Sequence, residues 1–462
     1  MRFMHIADIH LGYQQYGSKE RFNDFSQIFM HIVDQAVEQG VDFLLLAGDL
    51  FEKRTVSPLA MRVAVEGFRM LREAGIPVCA VEGNHEKAHY RDQYSWVDFL
   101  DGLGYLYLLN PRFEGGRAIL EPYGDEGGAY VDLPGGVRVY GLKYYGASTG
   151  RVFRLFAEAL AEMDRPSPSS GQALSMTDNR PRSGHGSQVD FAILVAHAGL
   201  EGQLPRYSGT IKHSDLAPLK GRVNYLALGH IHKPYAVEGW IYNPGSPETW
   251  SIEEAAWPKR GYYLVDVQPG GDPDHRAELT APRRRAFHRL RLPVDALPEP
   301  NAVYDAVRAR LRRKRKDITR DPYPVVELTL SGVLAFSRFD LDLDYVESIV
   351  KDAVSPLLVR VRNMTAPVEF EIAVDAEASR PELERAIVRE LLERDARFRP
   401  ASEDWTRVAL DLKRMALEGS SPDAMIDYLR RSRAELDVAA EEPALSKVEA
   451  SADRRPLSKG GA

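Results

Sequence analysis

"VDFLLLAGDLFEKR", residues 41–54, decides the fold. Its first seven residues are apolar almost throughout, the pattern of a short strand covered on both faces. Gly48 interrupts the run, and Asp49 stands just past the strand end. A carboxylate in that place either closes a turn or holds a ligand, and alone it does not say which. The same grammar recurs outward along the chain. "RFMHIAD" (2–8) and "IPVCAVEGNH" (76–85) are apolar runs ending on polar residues. Between the first two runs, Phe22, Phe25, Phe29, Ile32, Val33 and Ala36 recur at helical spacing. A second helix is expected from Ser57-Pro58, with Ser57 as N-cap and Pro58 in the first helical position. Further strands are expected in "VRVYGLKY", "FAILVAH", "NYLALGH", "WIYNPGS" and "GYYLVDV". Alternating elements of this kind describe a layered α/β domain over residues 1–282.

The whole chain has 462 residues, 44% hydrophobic and 27% charged, which suits several globular domains. No apolar stretch approaches the ~20 residues that cross a bilayer, and "MRFMHIADIH" is too polar for a signal segment. Cys79 is the sole cysteine, so an internal disulfide framework and a cysteine-based metal cluster are excluded within one chain. The expected compartment is the cytoplasm, at the nucleoid. The net charge of −7 leaves room for a local basic face.

Residues 164–189 are rich in Ser, Pro and Gly and read as a flexible insertion. A small α+β unit is expected over 283–380. It holds the basic helix-like run "VRARLRRKRK" (307–316) and strand candidates "PVVELTL" (324–330) and "PVEFEIAV" (367–374), separated by "YVESIVKDAV". A helical segment follows over 381–435, and an Ala/Glu/Ser-rich disordered tail is expected over 436–462.

Five short segments place donors where strands stop: Asp8 and His10 in "ADIH", Asp49 in "GDLF", Asn84 and His85 in "GNHE", His197 in "VAHAG", and His230 and His232 in "GHIH". Residues two apart on an extended backbone would point to the same side. Each segment alone is ordinary turn chemistry, and a lone histidine in an apolar strand is usually a satisfied core residue. Together, in order, after apolar runs of one domain, they suit two divalent cations. Imidazole and carboxylate without thiolate favour Mn²⁺, Fe²⁺ or Zn²⁺ in a working rather than a structural site. Two such ions can activate a water and neutralise a phosphoryl transition state.

These residues resemble the calcineurin-like metallophosphoesterase superfamily, whose motifs run D-x-H, G-D, G-N-H, H and G-H-x-H. Within it, "MHIADIHLGYQQYGSKERFNDF", "AGDLF", "EGNH", "GLKYYG", "LGHIHKPY" and "YNPGSPE" look like the SbcD-type nucleases. These are the bacterial and archaeal relatives of the eukaryotic meiotic-recombination and break-repair nuclease. The resemblance implies a four-layer β-sandwich flanked by helices, a small α+β capping domain and a C-terminal helical segment. It assigns Asp8, His10, Asp49 and His232 to one ion, and Asp49, Asn84, His197 and His230 to the other, with Mn²⁺ the expected metal. His85 would face the substrate as proton donor or phosphate stabiliser. Glu52 stands where generic members carry Asp or Asn, and Glu86 replaces the usual aspartate after G-N-H, putting its supporting hydrogen bonds in doubt.

The activity so implied is 3′–5′ exonuclease on double strands and endonuclease on single strands, in a break-repair complex. The resemblance also implies a dimer and an SMC-like ABC ATPase partner with a coiled coil. Two readings compete: a phosphatase or cyclic-nucleotide phosphodiesterase on the same scaffold, and a non-catalytic scaffold that has lost its metals. Tyr13 and Tyr16 either line the entry for a nucleic acid strand or pack on the following helix. Arg308, Arg310, Arg312, Arg313, Lys314, Arg315 and Lys316 form either a solvated helix face or a phosphate-backbone contact. Trp405, Leu412, Met415, Met425, Tyr428 and Leu429 either pack on their own domain or dock on the ATPase. Asn243, Ser246 and Lys233 are open between site support and ordinary turn or surface roles.

Overall fold

Strands buried on both faces build two facing sheets in the computed structural model, which describes residues 1–88, 94–163, 189–204, 209–295, 297–367, 379–394 and 397–449. The first sheet runs, in order across, His275–Thr280, Tyr262–Val267, Arg2–Ile6, Phe43–Leu46, Val78–Ala80 and Tyr107–Leu108. The second runs Tyr235–Val237, Ile241–Asn243, Tyr225–Leu228, Phe191–Ala196, Val137–Leu142 and Tyr130–Leu133. Phe3, Phe43, Leu45 and Cys79 of the first sheet meet Val139, Ile193, Val195, Tyr225 and Ala227 of the second in one buried core. The alternate residues Met4, Ile6, Leu44 and Leu46 face outward, under Phe29, Ile32 and Val33 of helix Lys19–Glu38 and Ala64, Phe68 and Leu71 of helix Pro58–Glu73. On the far side Leu194, Leu226 and Leu228 lie under Phe153, Phe156 and Leu160 of helix Thr149–Met163. The order is helix, sheet, sheet, helix, the four layers expected. Each fully buried Leu, Ile or Phe contributes roughly 1.5–3 kcal/mol.

The inner strands are parallel. Arg2–Ile6 pairs in parallel with Phe43–Leu46, which pairs in parallel with Val78–Ala80. Phe191–Ala196 lies parallel between Val137–Leu142 and Tyr225–Leu228. Their carboxyl ends therefore share one rim, the place where α/β sheets bind ligands.

The chain divides into two compact units, Met1–His288 and Arg289–Ala462. The first extends past the residue 282 boundary drawn from sequence. Arg284 and Arg285 bind back onto it, through Arg260 O (3.1 Å) and the carboxylate of Asp24 (2.6 and 2.8 Å). In the second unit the basic run lies on helix Pro300–Ile318, and "PVVELTL" begins strand Val325–Leu334. Two further strands, Phe287–Pro293 and Leu358–Pro367, flank it in a three-stranded sheet. Their mixed sequences hide them: Arg289, Arg291, Arg360 and Arg362 alternate with Leu290, Leu292, Val359 and Val361. Of the strand candidate at 367–374, residues 368–374 lie outside the described residues, as do 164–188 of the insertion. Three helices follow, Arg380–Arg394, Ser402–Leu417 and Pro422–Glu449. The last helix runs past residue 436, where the tail was expected to begin, to Glu449. Residues 450–462 lie outside the described set.

Candidate metal centre

The loops after Ile6, Leu46, Ala80, Ala196 and Leu228 meet at the shared rim and bring together all seven expected donors. The first two loops run side by side, with Asp8 N donating to Gly48 O (3.1 Å) and His10 N to Asp49 O (3.0 Å). The backbone there is not the extended one expected. Asp8, His10, Asp49 and His230 have φ of 55°, 53°, 53° and 82°. That left-handed region costs a non-glycine residue about 1–3 kcal/mol. The strands stop at Ile6, Leu46 and Leu228, and a tight reversal, rather than strand pleat, aims the side chains.

Among the described residues donor atoms converge in three overlapping groups: Asp8, His10 and His232; Asp8, Asp49 and His197; and His10, Glu52 and His85. Asn84 Oδ1 lies 3.0 Å from His197 Nε2 and 2.8 Å from His230 Nδ1. Asp49 faces both ways: Oδ2 is 3.2 Å from His197 Nε2, and Oδ1 accepts from His85 N at 2.9 Å. Adjacent ligands on an octahedral ion with bonds of ~2.1 Å would be ~3.0 Å apart, and these separations match.

The nitrogen pair of His10 and His232 tests the fit. His232 Nδ1 is 2.7 Å from Glu254 Oε1. His10 Nδ1 is 3.0 Å from Glu52 Oε2, close enough for an ion pair though off the line of a hydrogen bond. With a proton on each Nδ1, the two Nε2 atoms, 3.1 Å apart, would turn lone pairs toward one point, where a cation or a shared proton relieves their repulsion. His197 follows the same rule, with Nδ1 bonded to Ala47 O at 2.7 Å. The residues present fit a bound cation.

Electrostatics say the same. Burial opposes ionisation of Asp49, yet His197, His10 and His85 outweigh it and hold the carboxyl far below the ordinary range. Burial raises Asp8, against the pull of His232 and His197. Burial likewise opposes a charge on His197, but Asp49 and Asp8 push it up to about 9. His232 is likewise raised, by Glu254 and Asp8 against its burial, so the site favours positive charge.

His85 stands apart. Its side chain is 28% exposed while His10 and His197 are fully buried, and its Nδ1 is 2.9 Å from Glu52 O. That bond leaves Nε2 for the open side. Glu86 keeps its supporting role despite the longer arm, accepting from Phe51 N (2.8 Å) and Gly83 N (3.1 Å) and so clasping two site loops together. Burial and the nearby Asp49 push its carboxyl up to about 8.

Other expected residues are placed as follows. Tyr13 packs between Phe25 (5.3 Å between ring centres) and Trp250 (5.4 Å), and Tyr16 is 42% exposed. Asn243 Nδ2 donates to Ile231 O (2.6 Å) and Lys233 O (2.9 Å), bracing the loop that carries His230 and His232. Ser246 bonds Glu248 O, and Lys233 bonds Gln203 O. On the basic helix Arg308 is engaged by Asp305 and Tyr345, Arg310 is half-buried, and Arg312, Arg313, Lys314, Arg315 and Lys316 are exposed. Trp405 packs edge-on to Phe398 (5.2 Å), Tyr428 bonds Asp411 (2.8 Å), Leu412, Met415 and Met425 are half-buried, and Leu429 is exposed. Sequence reasoning missed Glu254 and Trp250. "TWSIEEAAW" has no motif spacing, and only Glu52, inside "GDLFE", was visible as a departure.

The calcineurin-like phosphoesterase family profile matches residues 1–234. The DNA double-strand break repair protein Mre11 of Aeropyrum pernix is 29% identical over 68% of this chain and 68% of its own length. The protein of that name from Archaeoglobus fulgidus is 33% identical over 55% of this chain and 52% of its own. An uncharacterized metallophosphoesterase of Bacillus subtilis, YhaO, is 27% identical over 58% of each. The match thus spans little more than half the length of the second and third relatives. Among the described residues no helix is long and apolar enough to cross a membrane.

Proposed function

The chain belongs to the calcineurin-like phosphoesterase family, and from that premise we propose that it is a metal-dependent DNA nuclease subunit of a double-strand-break repair complex. The observation that carries the chemistry is the convergence of His10 and His232, whose Nε2 atoms lie 3.1 Å apart, with Asp8, Asp49 and His197. The naming of archaeal relatives as double-strand break repair proteins supports DNA as the substrate.

Asp8, His10, Asp49 and His232 would hold one divalent ion, and Asp49, Asn84, His197 and His230 the other, with Mn²⁺ the expected metal. Bound there, the pair would supply Lewis-acid charge neutralisation and lower the pKa of an attacking water. The residues of the chain do the rest. Glu52, Glu254 and Ala47 O stand at Nδ1 of His10, His232 and His197 and so would favour the tautomer that leaves each Nε2 for an ion. His85, with Nδ1 tied to Glu52 O, directs Nε2 to the open side to stabilise the phosphate or give a proton to the leaving oxygen. Exonuclease action from 3′ ends and endonuclease action on single strands, a homodimer and an SMC-like ATPase partner complete the proposal.

The test is cleavage of linear double-stranded and single-stranded DNA with Mn²⁺ by the protein and its His85→Ala variant. A small phosphomonoester and a cyclic nucleotide are assayed alongside. DNA cleavage that falls at least 100-fold in the variant is expected, within the range for lost acid–base catalysis. Turnover confined to the small substrates would overturn the nuclease in favour of a phosphatase. No turnover with no ion bound would leave a scaffold.

A further inference from the structure

Trp250 makes two hydrogen bonds that no motif announces. Its indole Nε1 donates to Glu52 Oε2 at 2.9 Å, and its backbone N donates to Glu254 Oε2 at 2.9 Å. Those are the two carboxylates that face Nδ1 of His10 and of His232. One residue therefore grips both carboxylate–histidine pairs whose Nε2 atoms meet at 3.1 Å. Its ring is packed on the same constellation, with centres 5.5 Å from His232, 6.0 Å from His10 and 6.2 Å from His85. Tyr13 stacks on it at 5.4 Å with planes 23° apart.

The grip is itself held from behind. Trp250 O accepts from Gln15 Nε2 at 2.7 Å, and Gln15 Oε1 accepts from Arg21 Nε at 2.8 Å. Arg21 is fully buried and also binds Glu248, Asp24 and Thr249 O. Glu254 is in turn paired with the buried Arg260, which reaches Thr249 Oγ1 at 2.7 Å. The other donor set is held differently. His197 is anchored on the backbone oxygen of Ala47, and His230 Nδ1 lies against Asn84.

We propose that Trp250 is a positioning residue that sets the distance between His10 and His232, and so tunes one of the two ion positions and not the other. Partners behind metal-bound histidines typically change affinity 10–100-fold. Trp250 acts one bond further back, through Glu52, so a change of about tenfold is expected. The inference rests on the reading of the seven donors as a two-ion centre.

The test is titration of the metal-free full chain with Mn²⁺ alone, counting bound ions by electron paramagnetic resonance and elemental analysis. Trp250→Phe keeps the ring and the backbone bond to Glu254 and removes only the donor to Glu52. It should bind one ion as the parent does and the second about tenfold more weakly. Glu52→Gln, which weakens the hold on His10 directly, should affect the same ion. Either variant is compared with the parent for its thermal midpoint, so general destabilisation is seen separately. Two ions bound with unchanged affinity in both variants, or both ions weakened alike, would overturn the role of Trp250. Absence of ion uptake by the parent chain would instead remove the two-ion reading beneath it.

Discussion

Asp49 has φ of 53° and follows Gly48 at 83°, a pair of left-handed residues in the stretch that decided the fold. A Cβ at Gly48 would lie 2.4 Å from His197 Nδ1, and one at Gly83 would lie 2.1 Å from Asp49 Oδ1. The glycine before Asp49 and the glycine before Asn84 are thus required by loops that interlock, beyond any turn preference. In the proposed two-ion centre Asp49 is the shared carboxylate; its Oδ2 faces His197 Nε2, and its Oδ1 accepts from the backbone N of His85, which fixes its orientation. Replacing Asp49 with Ala should therefore empty both ion positions together, as read by elemental analysis of the purified variant. Two ions retained per chain would show that the carboxylate does not bridge. The donors were legible from residue type and order; Glu254 and Trp250 were not, because their role comes from proximity across the fold.

Helix Pro58–Glu73 begins as its sequence says, with Ser57 Oγ accepting from Ala60 N at 3.2 Å. Ser57→Ala should lower stability by about 1 kcal/mol in chemical unfolding and leave ion content unchanged, since the cap lies away from the donors. Helix Pro300–Ile318 was equally legible: Val303, Val307 and Leu311 are buried at helical spacing, and the basic residues lie on the remaining surface. Replacing Arg312, Arg313, Lys314, Arg315 and Lys316 with Gln should weaken DNA binding alike for every sequence. Its salt dependence should become shallower by up to about one unit of slope per lost phosphate contact. Unchanged affinity at low salt would assign the stripe to solvent. Strands Phe287–Pro293 and Leu358–Pro367 were missed because arginines alternate with their apolar residues, and that pattern reads as polar loop until a sheet partner is known.

Between the two sheets His5 is wholly buried, accepting from Tyr225 OH at 3.0 Å and donating to Leu228 O at 3.1 Å. Burial pushes it down to about 3, from an ordinary 6.5. Above pH 6.5 both folded and unfolded chains carry it neutral. As pH falls from 6.5 toward 3 only the unfolded chain takes the proton, so stability is lost across that window, by about 1 kcal/mol per pH unit. His5→Gln should be less stable than the parent at pH 8 and should lose less between pH 6.5 and 4, in thermal unfolding at fixed ionic strength. Equal slopes for the two chains would remove His5 from the acid response. The sequence by itself determined the layered α/β class and pointed to the seven residues that the fold brings to one rim. Strand burial and turn chemistry are local properties, written in residue type and spacing. Only the tertiary structure decided which donor faces which, and that Glu52, Trp250 and Glu254 stand behind them. Those depend on parallel strands ending at one rim, where residues some 200 positions apart in the chain come within a hydrogen bond of each other.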